Sequence, residues 1–393
     1  MDYAKEALKK HKEWKGKLHV VNKMDIKSHD DLSIAYTPGV AAPCLEIQKD
    51  PKQVYTYTGK GNTVAVISDG SAVLGLGNIG PEAGIPVMEG KCVLFKALAD
   101  IDAIPLCLNT QNVDELVQII SALEPSFGGI NLEDIAAPRC FEVEERLKKK
   151  MNIPVFHDDQ HGTAIVVCSA LLNALRLTKK ENPTIVVNGA GSAGIAIATL
   201  ILDMKLGNVI LVDRQGILQT EMELTSGQRK LIDRVNRQGK RGTLADALKD
   251  ADVFIGVSAP HIVTQDMIRS MNTDPIVFAM ANPVPEIERE DALKAGAKII
   301  GTGRSDYPNQ INNVLAFPGI FKGALQAQAT EINDAMKIAA VKAIASLVSE
   351  EELSPEYIIV SALDPRVVEA VSRAVAQAAR ESHVVREWKE VKN

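Results

Sequence analysis

The stretch TIVVNGAGSAGIAIATLILDMKLGNVILVD, residues 184–213, decides the fold. It opens on a short β-branched run and passes through Gly189, Gly191 and Gly194 in GxGxxG spacing. A helix-forming stretch follows, and then a second apolar run that ends in Asp213. In this context Gly189 permits a tight turn, Gly191 lets the backbone approach a pyrophosphate, and Gly194 lets the helix pack closely on the strand. Ser192 and Ala193 fall where the helix begins, and amide groups at a helix N-terminus face phosphate well. Together these features predict a nicotinamide or flavin dinucleotide site. Asp213, roughly 20 residues beyond the glycines, is placed to accept hydrogen bonds from the adenosine ribose. Its carboxylate repels a 2′-phosphate and favours NAD, whereas Arg214 beside it offers that phosphate a partner, so NADP stays open.

Outward from this unit, DVFIGV, PIVFAMA and AKIIGT repeat the pattern of a short, wholly apolar run between helical segments. Strands apolar along their whole length are covered on both faces, so five parallel strands in a doubly wound sheet are expected between Thr184 and Thr302. Upstream, GKGNTVAVISDG reads as strand and turn, and a helix is expected from Val113 to about Leu123. An amphipathic helix ends at Lys148, Lys149 and Lys150. IPVFHDDQHGTAIVVCSALLNALRL reads as strand, polar turn and long helix. GLGNIG, at Gly75, Gly77 and Gly80, repeats the glycine spacing. Pro81 and Pro86 interrupt any helix after it, so it is read as a backbone-lined cleft loop. The expected fold class is α/β: a smaller N-terminal α/β domain, residues 1–159, followed by a doubly wound parallel-sheet Rossmann domain with C-terminal helices, residues 160–393. Those helices, in NDAMKIAAVKAIASLV and EAVSRAVAQAARE, are expected to pack on the sheet.

Composition narrows the function classes. Hydrophobic residues make up 46% and charged residues 24% of 393, a globular balance that gives material for a closed cleft between domains. A net charge of −6 argues against a nucleic-acid surface. The lysines of the N-terminus, Lys5, Lys9, Lys10, Lys12, Lys15 and Lys17, alternate with Asp2, Glu6 and Glu13 and read as a solvated helix face. Five widely spaced cysteines with no CxxC pair imply a reduced, cytoplasmic setting. Neither a signal sequence nor an unbroken apolar run of the ~20 residues a membrane helix needs is evident.

The densest acidic features outside the expected sheet are NLEDIAAP and FHDDQHGTA. Glu133, Asp134 and Asp159 could supply hard oxygen ligands for Mg²⁺ or Mn²⁺ from two loops. Acidic pairs equally serve helix N-termini, and spacing alone leaves both readings open. His157 and His161 read as satisfied polar residues or outer supports rather than ligands.

In this order, AYTPGVAAPC, SDGSAVLGLGNIG, GIPVMEGKCVLFKALADIDAIPL, INLEDIAAP, FHDDQHGTA, NGAGSAGIA, FAMANPVPE and NNVLAFPGI resemble the signature segments of the malic enzyme family, over roughly residues 20–385. The resemblance implies oxidative decarboxylation of L-malate to pyruvate and carbon dioxide, with NAD or NADP reduced and a divalent metal required. It implies Tyr36 as general acid and Lys91 as general base, with Asp158 beside that lysine. Glu133, Asp134 and Asp159 become metal ligands, and Asn282 and Asn313 meet substrate or the nicotinamide end. Lys91 must then work as a free amine, which burial and the metal have to favour. Ala72 stands where larger members carry an arginine for a substrate carboxylate. Lys23, Arg139 or a neighbouring subunit are the replacements considered, since the family is commonly dimeric or tetrameric. The rival on the same scaffold is a malolactic enzyme, which retains NAD and releases lactate.

Overall fold

The structure, a computed structural model, describes residues 3–386; the expected outer limits at 1 and 393 lie outside the described residues. The chain begins with four helices, α1 (Tyr3–Trp14), α2 (His29–Ala35), α3 (Ala41–Lys49) and α4 (Val54–Tyr57), none of which buries a residue. Instead this arm presents large apolar side chains to solvent, among them Tyr3, Val20 and Ile34, and the first buried residue of the described chain is Lys60.

A four-stranded sheet follows. It comprises β1 (Thr63–Ser68), α5 (Pro81–Ala99), β2 (Asp102–Cys107), α6 (Val113–Ala122), β3 (Gly129–Leu132), α7 (Arg139–Lys150) and β4 (Val155–His157). The strands run parallel in the order β2-β1-β3-β4. Their alternation sorts side chains to two sides. Val64, Val66 and Phe156 face the side shared with α5, while Ala65, Ile67 and Val155 join Leu116 and Ile120 of α6 and Val143 and Leu147 of α7.

Two expectations fail in this half. GLGNIG is followed at once by α5, with Pro81 at its first positions and Pro86 inside it. Proline suits the first turn of a helix because the missing N–H there has no partner to lose, and Pro86 comes early enough to break only a bond in the exposed opening turns. The polar turn expected after β4 is absent: α8 (Asp158–Thr178) starts on the residue after β4 ends. Among the described residues α8 is the one helix long and apolar enough to cross a bilayer, and 61% of that apolar window is buried inside the fold, so it is a core helix.

Beyond α8 lie β5 (Thr184–Asn188), α9 (Ser192–Asp203), β6 (Asn208–Asp213) and a short β7 (Gly216–Ile217). Next come α10 (Ser226–Leu231), α11 (Leu244–Leu248), β8 (Val253–Gly256), α12 (Gln265–Arg269), β9 (Ile276–Ala279), α13 (Arg289–Lys294) and β10 (Ile299–Thr302). The sheet order is β10-β9-β8-β5-β6-β7, a doubly wound arrangement in which the five expected strands are parallel. Only β7, a two-residue antiparallel edge, carries no signal in the sequence.

The C-terminal helices α14 (Phe317–Gln326), α15 (Asp334–Ser346) and α16 (Arg366–Glu381) do more than cover this sheet. Phe317 and Phe321 of α14 reach Phe95 of α5 edge-on, with ring centroids 4.7 and 5.4 Å apart. One apolar core therefore runs from the first sheet through α8 and α14 into the second.

Candidate active site

A cavity of about 790 Å³ opens between the C-terminal ends of the strands of both sheets. Its walls include Lys91, Glu133, Asp134, Asp159, Ser192, Ala193, Asn282 and Asn313. Residues more than 200 positions apart in the sequence thus share one space.

The first wall is built on Asp69. Its carboxylate accepts from the Ser71 backbone N–H at 3.0 Å and from Arg139 at 3.1 Å, and the Ser71 hydroxyl in turn accepts from the Ala136 N–H at 2.9 Å. This ties the loop after β1 to the loop after β3. Asp134 holds a left-handed backbone, φ 55°, which aspartate tolerates better than most residues. Its N–H donates to Asp159 Oδ2 at 2.8 Å and its carbonyl accepts from Ala72 N–H at 2.9 Å. Oxygens of Glu133, Asp134 and Asp159 all lie within 4.8 Å of one another.

Lys91, on α5, is 8% exposed, with Nζ 2.6 Å from Asp158 Oδ2, 2.8 Å from Glu133 Oε1 and 4.2 Å from the centre of the Phe317 ring. Burial opposes its charge, but the two carboxylates outweigh burial and hold the ammonium above the ordinary lysine range. Burial by itself therefore does not deliver the free amine that the sequence reading requires. Burial also raises the carboxyls, Glu133 above its ordinary value, Asp158 up to about 7 and Asp159 up to about 6, with Lys91 pulling each of them back. The Asn313 amide donates to Asp158 Oδ2 as well.

Behind the carboxylates stands a support that the sequence does not announce. Glu144 of α7, buried, accepts from the His157 N–H at 3.2 Å and from His161 Nε2 at 3.0 Å, and pairs with Lys148 at 2.7 Å. It grips α8 on either side of Asp158 and Asp159, where the helix has no side-chain cap of its own. His161 is thus a satisfied polar residue as expected. His157 is not: both ring nitrogens are buried without a hydrogen-bond partner, Nδ1 lying 3.7 Å from Asp159 Oδ2.

The glycine loop forms the opposite wall. Gly189 has φ +109°, and a Cβ there would sit 2.6 Å from the Val257 carbonyl. A Cβ on Gly194 would come 1.9 Å from the Gly189 carbonyl, whereas one on Gly191 would meet nothing within 4 Å. The first and third glycines are therefore required by close packing, and the second faces open space where a pyrophosphate can approach the N-terminus of α9. Asp213 closes β6 with its Oδ1 accepting from Gln215 N–H at 2.8 Å, and Arg214 is exposed beyond it. A further unannounced residue is Glu286, fully buried, whose carboxylate accepts from Ser258 N–H and Ala281 N–H, each at 3.0 Å. It joins the loops after β8 and β9 and so places Asn282.

Three residues stand apart. Tyr36 follows α2 with 68% of its surface exposed, outside the cavity. Arg139 is committed to Asp69, and Lys23 is exposed; neither lines the space beside Ala72.

Comparison with known proteins accounts for this assembly. Residues 15–148 match the malic enzyme N-terminal domain and residues 160–383 the malic enzyme NAD binding domain. The chain is 56% identical over 390 residues to the bifunctional malic/malolactic enzyme of Bacillus subtilis (strain 168), covering 98% of this chain and 95% of that one. It is 53% identical to the NAD-dependent malic enzyme of Geobacillus stearothermophilus, covering 94% and 78%. The crystal structure of the NAD-dependent malic enzyme from Thermotoga maritima superposes with a TM-score of 0.91 at 50% identity, covering 94% and 98%. By sequence over nearly its whole length and by fold, the chain belongs to the malic enzyme family.

Proposed function

We propose that this protein oxidises L-malate at C2 and decarboxylates it at C4 to give pyruvate and carbon dioxide, with NAD as the acceptor and Mg²⁺ or Mn²⁺ bound by Glu133, Asp134 and Asp159. The observation that carries this reading is the meeting in one cavity of three carboxylates within 4.8 Å, a buried lysine and a dinucleotide-type glycine loop. The donor set is all oxygen, suited to a hard divalent cation, and the open face of Gly191 suits a pyrophosphate. When bound, the cation supplies Lewis acidity at the C2 oxygen and the nicotinamide supplies the hydride acceptor.

In this reading Lys91 first gives up its ammonium proton, which Asp158 Oδ2, 2.6 Å away, is placed to accept, and the free Nζ then receives the C2 hydroxyl proton. Asn313 fixes Asp158, and Asn282 stands at the nicotinamide end. Ser192, Ala193 and the three glycines receive the phosphates, and Asp213 the ribose. The division between a substrate-activating part, to Asp159, and a cofactor-binding part beyond it follows from these assignments.

Among the described residues that line the cavity, Tyr36 of the same chain is not found. Tyr36, assigned the role of general acid by the family resemblance, lies on an exposed apolar arm with no core of its own. We infer a homo-oligomer, at least a dimer, in which the arm of one copy is buried by another and brings Tyr36 to that copy's cavity. All five cysteines are unpaired, which supports a reducing, cytoplasmic setting.

The test is the appearance of reduced cofactor from L-malate with Mn²⁺ and NAD or NADP, followed by product analysis. Pyruvate with reduced cofactor, abolished by EDTA, is the expected result. Lactate without net reduction would replace this reading by the malolactic one, which the name of the Bacillus subtilis relative favours as a second activity.

A further inference from the structure

Malate is a dianion, and a cavity rich in carboxylates has to offer positive charge to hold it. Two lysines line the cavity, Lys91 and Lys17, and no arginine does. The ammonium of Lys91 is already shared between Asp158 and Glu133. Lys17 is placed differently. It lies just past α1, where its backbone N–H donates to Glu89 Oε2 at 3.1 Å and its Nζ donates to the Pro86 carbonyl at 2.6 Å. Both partners belong to α5, and Pro86 is about one turn before Lys91. The ammonium reaches to within 3.4 Å of where a Cβ on Gly90 would stand, beside the residue that precedes Lys91. Its hydrogen-bond partner is a neutral carbonyl, and among the described residues no carboxylate lies within ion-pair distance of it. An ammonium has three donors, so two remain for a ligand. Ala72 contributes only a methyl group to the same cavity.

We propose that Lys17 is the cation that binds the malate carboxylate lying away from Glu133, Asp134 and Asp159. It takes the part that the small side chain of Ala72 leaves unfilled. This assignment rests on the malate reading and gives the basic N-terminal segment, otherwise a solvated helix face, one residue with a task. A single ammonium makes a point contact and not a planar fork, so it recognises charge with little demand on carboxylate orientation.

The test compares wild type with Lys17→Ala, Lys17→Met and Lys17→Arg in the full-length protein. Loss of a charge-assisted hydrogen bond in the ground state should raise KM for malate at least about 10-fold while kcat stays within about threefold. KM for NAD should not change, and Lys17→Arg should recover most of the loss. Succinate and L-lactate as inhibitors separate recognition from loosening of the arm. Weaker inhibition by succinate with unchanged inhibition by lactate supports the contact. Equal weakening of both, or a malate KM within twofold of wild type in Lys17→Ala and Lys17→Met, overturns it. Calorimetric titration with succinate reads the same difference in protein that does not turn malate over, so failure of the activity and failure of this contact are told apart.

Discussion

Gly162 owes its identity to a carboxylate one helical turn before it. A Cβ there would lie 1.8 Å from Asp158 Oδ1, so alanine would force Asp158 to rotate away from Lys91 and Asn313. Alanine in a helix interior is itself favourable by about 1 kcal/mol, which separates the two effects. Gly162→Ala should keep its melting behaviour close to wild type while kcat falls at least about 10-fold. Thermal melts and steady-state kinetics on one preparation check this, and an unchanged kcat would defeat the pairing of Asp158 with Lys91 as a working unit. Asp159 poses a different question. Its Oδ2 already accepts from the Asp134 N–H, so it both shapes the loop and faces the cavity. Asp159→Ala should lower Mn²⁺ affinity at least about 100-fold, as loss of a primary carboxylate ligand would, and abolish malate oxidation. Mn²⁺ binding followed by electron paramagnetic resonance tests the ligand assignment apart from turnover; a folded variant that binds Mn²⁺ normally would sink it.

Among the elements, the short turn Gly59–Asn62 that opens β1 carries an unusual anchor. Its Lys60 is buried, with Nζ donating to the Glu124 carbonyl and, at 2.9 Å, to that of Phe127. Burial pushes this ammonium down to about 8, aided by Arg386. Between pH 8 and 10.5 the folded chain has released this proton and the unfolded chain still holds it, so stability rises with pH across that window. The full effect is about 3 kcal/mol. Denaturant unfolding at pH 8 and pH 10 should show wild type gaining relative to Lys60→Met, and parallel profiles would refute the shift. Elements were also where the sequence spoke most clearly. Five apolar runs and one glycine loop marked the second sheet because parallel strands buried on both faces leave a continuous apolar trace. Helix α5 was hidden by Pro81 and Pro86, residues that break helices elsewhere and are harmless near a start. In the site, Glu133, Asp134 and Asp159 stood out as clustered acids, but Lys17, Glu144 and Glu286 did not. Each acts on backbone or cavity brought near only by folding, and nothing local distinguishes such a residue from a solvated charge. Tyr36 and Lys91 were singled out through family resemblance alone, and of the two only Lys91 lines the cavity of its own chain.

On the scale of the whole molecule, the arm from α1 to α4 is divided in the proposed assembly: Lys17 serves the cavity of its own chain, and Tyr36 that of another copy. If Tyr36 acts in the cavity of another copy, Lys91→Ala and Tyr36→Phe proteins, each impaired alone, should regain activity when mixed and allowed to exchange subunits. A hybrid dimer would hold one site with both defects and one with neither, so random exchange restores about a quarter of the sites. No recovery after exchange, shown by mass analysis of the hybrids, would place Tyr36 and Lys91 in the same chain's site. The zero-length join between β4 and α8 carries a last implication. The strand is fixed in the first sheet and the helix is wedged among the helices of the second half, so any pivoting of one half on the other turns about the bonds of His157 and Asp158. The hinge and the chemistry would then be the same few atoms, and each opening stroke would swing Asp158 away from Lys91, while Glu133 stays beside it, as directly as a door carries its own latch.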